Sequence, residues 1–170
     1  DWYDYCGEVL KELYQKPNLT HIGDKNPFFH DHPVACQKIA SYPKIWTIRD
    51  PRAVWYSRRK GSPFFQRYLC NVRYFMGSLD NTSLIIRFED LLAKPEQTMK
   101  QVYEFLKVEY DDSFLNRSGK RYDRRFKWNP NAVDPFDRTK IDAWRGFPEK
   151  LPRKFFSSLV KKVMKRFDYK

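Results

Sequence analysis

Two short apolar runs constrain this chain most: KIWTI at 44–48 and SLIIRF at 83–88. Both are rich in β-branched and aromatic residues, and turn formers bound them, so each reads as a strand. Pro43 precedes the first run and Asp50-Pro51 follows it. The stretch between the runs is helical in pattern. Asp50 is a good N-cap and Pro51 suits a first helical position, which predicts a helix from 51 to about 60. After Gly61-Ser62-Pro63, residues Phe65, Tyr68, Leu69, Val72, Phe75, Met76 and Leu79 recur at helical spacing. Strands joined through helices form crossovers rather than hairpins, and crossovers make parallel sheets covered by helices. The expected class is therefore α/β.

The flanking segments follow the same grammar. Trp2, Cys6, Val9, Leu10 and Leu13 predict an amphipathic helix over 2–15, closed by Lys16-Pro17-Asn18. A weak extended stretch covers Leu19 to Gly23, and His32-Pro33 opens a helix reaching about Ser41. A short helix from Glu89 to Ala93 follows the second strand. Pro95 then starts another, with Met99, Val102, Tyr103 and Leu106 on one face. Residues 116–137 carry many cations, two prolines and little periodicity, and read as a long basic surface loop. A helix near 139–145 and a last one from about 152 to 167 close the chain. In that last helix Phe156, Leu159, Val160, Val163 and Phe167 form an apolar stripe, while Lys154, Lys161, Lys162 and Lys165 lie mostly off it. A docking helix with a solvated basic face is the preferred reading, and a membrane-surface helix is the alternative. Length favours one domain over 1–170. Two strong strands make a thin sheet for it, so an element is expected to be missing.

Charge narrows the partners. The chain has 33 Lys and Arg against 21 Asp and Glu, a net +12, which favours an anion: a nucleotide, a sulfated or phosphorylated substrate, nucleic acid or an acidic membrane. No apolar run reaches the roughly 18 residues of a membrane span. The start shows no signal-peptide pattern and no initiator Met, which reads as a segment cut from a longer chain. Cys6, Cys36 and Cys70 form no metal-ligand pattern with the three histidines, so no metal is expected. Their odd number favours a reducing, cytoplasmic setting over a Golgi-type lumen, against three sequons at Asn18, Asn81 and Asn116.

Ligands of open α/β sheets bind beyond the carboxyl ends of the strands. Arg49 stands at such an end, at the start of a helix whose positive N-terminus suits an anion. Ser57 lies farther along that helix, and Ala53 one turn earlier leaves space, so Arg49 and Ser57 can grip one phosphate. The alternative is an exposed Arg beside a cap and a Ser bonded to its own backbone. Lys25, after the weak strand, can cancel charge on a transferring group or simply be solvated. No Gly-rich phosphate loop occurs in the chain. Asp24, Glu89 and Asp90 are possible bases, although Glu89-Asp90 fits a helix start better.

Three segments in order, with a fourth toward the C-terminal side, now resemble the sulfotransferase superfamily, which uses 3′-phosphoadenosine-5′-phosphosulfate (PAPS). KIWTIRDPRAVWYS (44–57) is similar to its 3′-phosphate motif, a strand ending in Arg with a Ser eight residues later. LIIRFEDLLAKPEQTMKQVYEFLKV (84–108) resembles its strand, Tyr-Glu-Asp-Leu-like turn and Pro-Glu helix. GDKNPFF (23–29) and AWRGFPEKLP (143–152) resemble segments of tyrosylprotein sulfotransferases and related bacterial enzymes.

The resemblance implies a P-loop-NTPase-like parallel sheet whose first strand and 5′-phosphosulfate loop, usually Ser-Gly-Thr-Thr, lie upstream. The chain would then be a partial sulfotransferase domain. The resemblance also implies a metal-free reaction: in-line attack on sulfur by an acceptor hydroxyl or amine. Arg49 and Ser57 would bind the 3′-phosphate of PAPS or of its product, and Lys25 would stabilise the transferring sulfonate. Phe88 stands where relatives often carry a Tyr near the adenine. Arg138, Thr139 and Lys140 fall where relatives place a Ser or Lys near the sulfonate or 5′-phosphate. The catalytic base would lie upstream. The acceptor would be a peptide, a glycan or a small molecule bearing a hydroxyl or negative charge. Two other readings stay open: a non-catalytic or degenerate nucleotide- or anion-binding module, and a basic nucleic-acid-binding domain.

Overall fold

A computed structural model describes residues 8, 9, 12, 21, 23, 25, 41–57, 63–115, 136–147, 151, 155 and 157–170. The chain divides into two compact units, Asp1–Ser41 and Tyr42–Lys170. In the first unit Glu8, Val9 and Glu12 are helical, inside the helix predicted over 2–15. His21, Gly23 and Lys25 are exposed and belong to neither helix nor strand, so the weak strand predicted at 19–23 is absent at the residues described there. The helix after His32-Pro33 and nearly all of the 116–137 loop lie outside the described residues.

The second unit runs β1 (Lys44–Ile48), α1 (Pro51–Ser57), α2 (Pro63–Gly77), β2 (Ser83–Arg87), α3 (Phe88–Ala93) and α4 (Pro95–Leu106). A 3₁₀ turn at Asp112–Phe114, α5 (Thr139–Asp142), a 3₁₀ turn at Ala143–Gly146 and α6 (Ser158–Arg166) follow. β1 and β2 pair in parallel, Lys44 opposite Ser83 and Ile48 opposite Arg87, as the helical crossover requires. Among the described residues the sheet has these two strands. The architecture is the expected α/β one.

Local chemistry explains the boundaries. Lys44 Nζ donates to Asp80 (3.3 Å), while Asp80 Oδ1 accepts the Thr82 N–H (3.0 Å) and both the Thr82 and Ser83 hydroxyls. These bonds build the turn into β2. α2 starts at Pro63, which needs no partner for an N–H it lacks. β2 stops at Arg87 and Phe88 opens α3, one residue earlier than the pattern predicts. α6 begins at Ser158 rather than near 152, because the Ser157 hydroxyl accepts the Val160 N–H (3.3 Å) and caps it there.

Two apolar clusters form the core of this unit. Ile48, Val72, Phe75, Val163 and Phe167 make one; Trp55, Phe65, Phe155 and Val160 make the other. Trp55 meets Phe65 edge-on, with centroids 4.9 Å apart. α6 feeds both clusters, since Val160 and Val163 are fully buried, while Lys161, Lys162 and Lys165 stay exposed. The last helix therefore docks by its apolar stripe, each valine contributing about 1.5–3 kcal/mol of burial. On β1, Trp46 and Ile48 turn toward the helices, and Ile45 and Thr47 are exposed.

Candidate functional site

Parallel pairing brings the carboxyl ends of β1 and β2 to one edge, which sets Arg49 beside Phe88. The Arg49 guanidinium lies 4.5 Å from the centroid of the half-buried Phe88 ring, a cation–π contact. Its Nη2 donates to the Lys140 carbonyl at 3.2 Å. The fold thus joins Arg49, Phe88 and the 138–140 segment, which are far apart in sequence.

The start of α1 is a buried polar cluster. Asp50 is the predicted N-cap: its Oδ1 accepts the Arg52 N–H (2.8 Å). Its carboxylate also takes the Arg52 side chain, from Nε at 3.0 and 3.1 Å and from Nη2 at 2.7 Å. Arg52 Nη2 donates to the Lys170 carbonyl as well (2.7 Å), and the guanidinium lies 4.1 Å from the Trp144 ring centroid. Asp50 N–H donates to Glu89 Oε1 (2.9 Å), and Tyr169 O–H donates to Glu89 Oε2 (3.1 Å). Tyr68 O–H donates to the Arg49 carbonyl (2.7 Å). Burial first, then the negative charge of Asp50 and Glu89, pushes the Tyr68 phenol well above its ordinary range. Burial and Glu89 push the Tyr169 phenol up likewise.

This cluster corrects one expectation. The first turn of α1 offers an anion less than expected. Pro51 lacks an N–H, the Asp50 and Arg52 N–H groups are engaged, and the Asp50 carboxylate already sits at the helix start. Ala53, expected to leave space, is buried.

The other sequence-derived candidates fall as follows. Ser57 is exposed in the last turn of α1, and its hydroxyl donates to the Val54 carbonyl (3.1 Å). Exposed Arg138 donates to the Ala93 carbonyl (2.9 Å), tying its segment to the end of α3. Thr139 bonds Asp137 through both its N–H (3.0 Å) and its hydroxyl. The Thr139 hydroxyl leads the causes that hold the Asp137 carboxyl below its usual range. Lys140 Nζ lies 3.4 Å from Asp137 Oδ2. Lys25 is exposed in the first unit. Glu89 and Asp90 part company: Glu89 is buried in the cluster, while exposed Asp90 faces Arg87 at 3.8 Å. Sequence reasoning places Tyr68 on a core stripe and does not find the bonds of Arg52, Glu89 or Tyr169. The one signal is a carboxylate two residues past the β2 end, opposite Asp50.

No family model and no curated protein matches the chain. Two solved structures do, each over 99% of this chain at 18% identity. A sulfotransferase domain from the curacin biosynthetic pathway superposes with a TM-score of 0.73, and 68% of that domain is covered. A sulfotransferase domain from the Synechococcus PCC 7002 olefin synthase superposes with a TM-score of 0.74, and 64% of it is covered. The fold is therefore that of sulfotransferase domains, and the chain spans about two thirds of their length.

Proposed function

We propose that this chain is part of a PAPS-dependent sulfotransferase, that it supplies the 3′-phosphate site, and that the whole protein transfers sulfonate to an acceptor hydroxyl. One observation carries the reading: in a chain with a sulfotransferase-domain fold, Arg49 leaves the carboxyl end of β1 and stacks on Phe88. The ring lies against the guanidinium, whose planar fork of donors matches a phosphate. The Lys140 carbonyl it meets is neutral. A phosphate offers a charge-assisted bond about twice as strong, so it can join or displace that contact.

Within this reading Ser57 turns its hydroxyl from Val54 to the same phosphate. Phe88 packs near the nucleotide base, and Arg138 and Thr139 approach the ligand from the segment that Arg49 touches. Lys25 neutralises charge on the transferring group. Bound PAPS supplies the activated sulfonate. The acceptor is a hydroxyl-bearing or anionic peptide, glycan or small molecule.

Calorimetric titration with 3′,5′-diphosphoadenosine, beside adenosine 5′-monophosphate at fixed salt, tests the proposal. The diphosphate is expected to bind more tightly. Arg49→Ala should weaken it about 10- to 100-fold, the worth of a charged hydrogen bond. Equal weak binding of both nucleotides would refute the site. Tight polynucleotide binding with a steep salt slope would favour a nucleic-acid partner instead.

A further inference from the structure

The Arg49–Asp50 peptide is held at both of its polar ends by side chains. Tyr68 O–H donates to its C=O at 2.7 Å, and Glu89 Oε1 accepts its N–H at 2.9 Å. We infer that Tyr68 and Glu89 are positioning residues: they clamp this peptide from two sides and so aim the Arg49 guanidinium. The functional meaning of the clamp rests on the phosphate role proposed above for Arg49.

A peptide group is a rigid plane, and the only soft rotations that turn this one are ψ of Arg49 and φ of Asp50. Fixing the plane fixes the direction in which the chain leaves β1 at Arg49. The two partners also specify its sense. Glu89 uses both oxygens as acceptors here, one for Asp50 N–H and one for Tyr169 O–H. A flipped peptide would set its carbonyl against the Glu89 carboxylate, two acceptors face to face, and lose that bond inside a buried cluster, although the phenol oxygen could accept the N–H. Asp50, Glu89 and Tyr169 are all buried, which raises the cost of an unmet polar group. Glu89 is itself held, because the Tyr169 ring lies under the Arg87 guanidinium at 4.8 Å. From this fixed peptide the Arg49 side chain runs over Phe88 and toward Lys140.

The test uses the full chain labelled with ¹⁵N. The Arg49 Nε–H resonance, assigned by its loss in Arg49→Ala, should carry a ring shift from Phe88. In Tyr68→Phe and Glu89→Ala that resonance is expected to move to the position of unstacked arginines. The preference for 3′,5′-diphosphoadenosine over the monophosphate is expected to fall about tenfold. Glu89→Gln keeps an acceptor for the Asp50 N–H and should retain both signals. A purely structural role would lower stability in these variants while leaving the Arg49 resonance in place, and that result in folded Tyr68→Phe overturns the clamp. Should Glu89→Ala not fold, Tyr68→Phe, which deletes one oxygen, decides. A wild-type chain with no preference between the nucleotides would refute the phosphate role alone, and the Arg49 resonance would then decide the clamp by itself.

Discussion

Replacing Arg52 by Met should cost far more than a surface arginine is worth. The side chains of Arg52 and Asp50 are only 10% and 6% exposed. The substitution removes three bonds to the carboxylate, at 2.7, 3.0 and 3.1 Å, one to the Lys170 carbonyl at 2.7 Å, and the contact with Trp144. It leaves Asp50 buried with the residue-52 N–H as its remaining bond from that residue. Breaking a buried pair by removing one partner costs about 3–5 kcal/mol, because the other charge is stranded in a low dielectric. A domain has about 5–15 kcal/mol in total, so the loss would be conspicuous in urea denaturation followed by tryptophan fluorescence. Asp50→Asn combined with Arg52→Met should recover part of the loss, since Asn still caps α1 without a charge to strand. A loss below about 1 kcal/mol for Arg52→Met, or no coupling in the double variant, would refute the reasoning, since such values belong to solvated pairs.

Four further outcomes follow from the same geometry. The Thr82 hydroxyl, then that of Ser83, hold the Asp80 carboxyl down at about 2 against an ordinary 3.8. Its stabilisation is thus complete above pH 3.8 and lost as pH falls toward 2, so the unfolding midpoints of Asp80→Asn and wild type should converge there. Tyr68 and Tyr169 are raised above the ordinary 10.0, so their contribution is complete below pH 10 and is lost as pH rises beyond it. An ultraviolet titration should leave at least the Tyr68 and Tyr169 phenols un-ionised until the chain unfolds, and ionisation of all eleven tyrosines near pH 10 in the folded chain would contradict this. Ser57→Ala should weaken 3′,5′-diphosphoadenosine about tenfold at an unchanged melting temperature, because Ser57 is exposed; unchanged affinity removes Ser57 from the site. Trp55→Ala should cost about 3–5 kcal/mol in urea, because the indole sits between Phe65 and Phe155 in the core, and a loss under about 1 kcal/mol would show that the cluster is loose.

Much of the local structure was readable before any tertiary contact was known. KIWTI is a strand because β-branched and aromatic residues run between prolines, and the observed β1 has the predicted bounds. Asp50-Pro51 opens a helix for reasons contained within three residues, and the carboxylate does cap it. The α6 stripe was legible as a docking face. Its start was not, because Ser157 supplies a nearer cap than the pattern before it suggested.

The sequence by itself determined the class of the two strands and of the main helices of the second unit, the parallel sense of the strands, and the placement of an arginine at a strand's carboxyl end. Those follow from periodicity, capping and crossover geometry, which act over a few neighbouring residues. Only the tertiary structure decided what surrounds that arginine. Arg49 meets a carbonyl 91 positions away, Asp50 meets Glu89 across 39, and Glu89 meets Tyr169 across 80. Such partners leave no periodic trace, because one hydrogen bond fixes one pair and repeats nowhere. Glu89 and Asp90 show the consequence: two adjacent carboxylates identical in local pattern, one buried as the keystone of the cluster and one left in solvent by the face of α3 on which it falls.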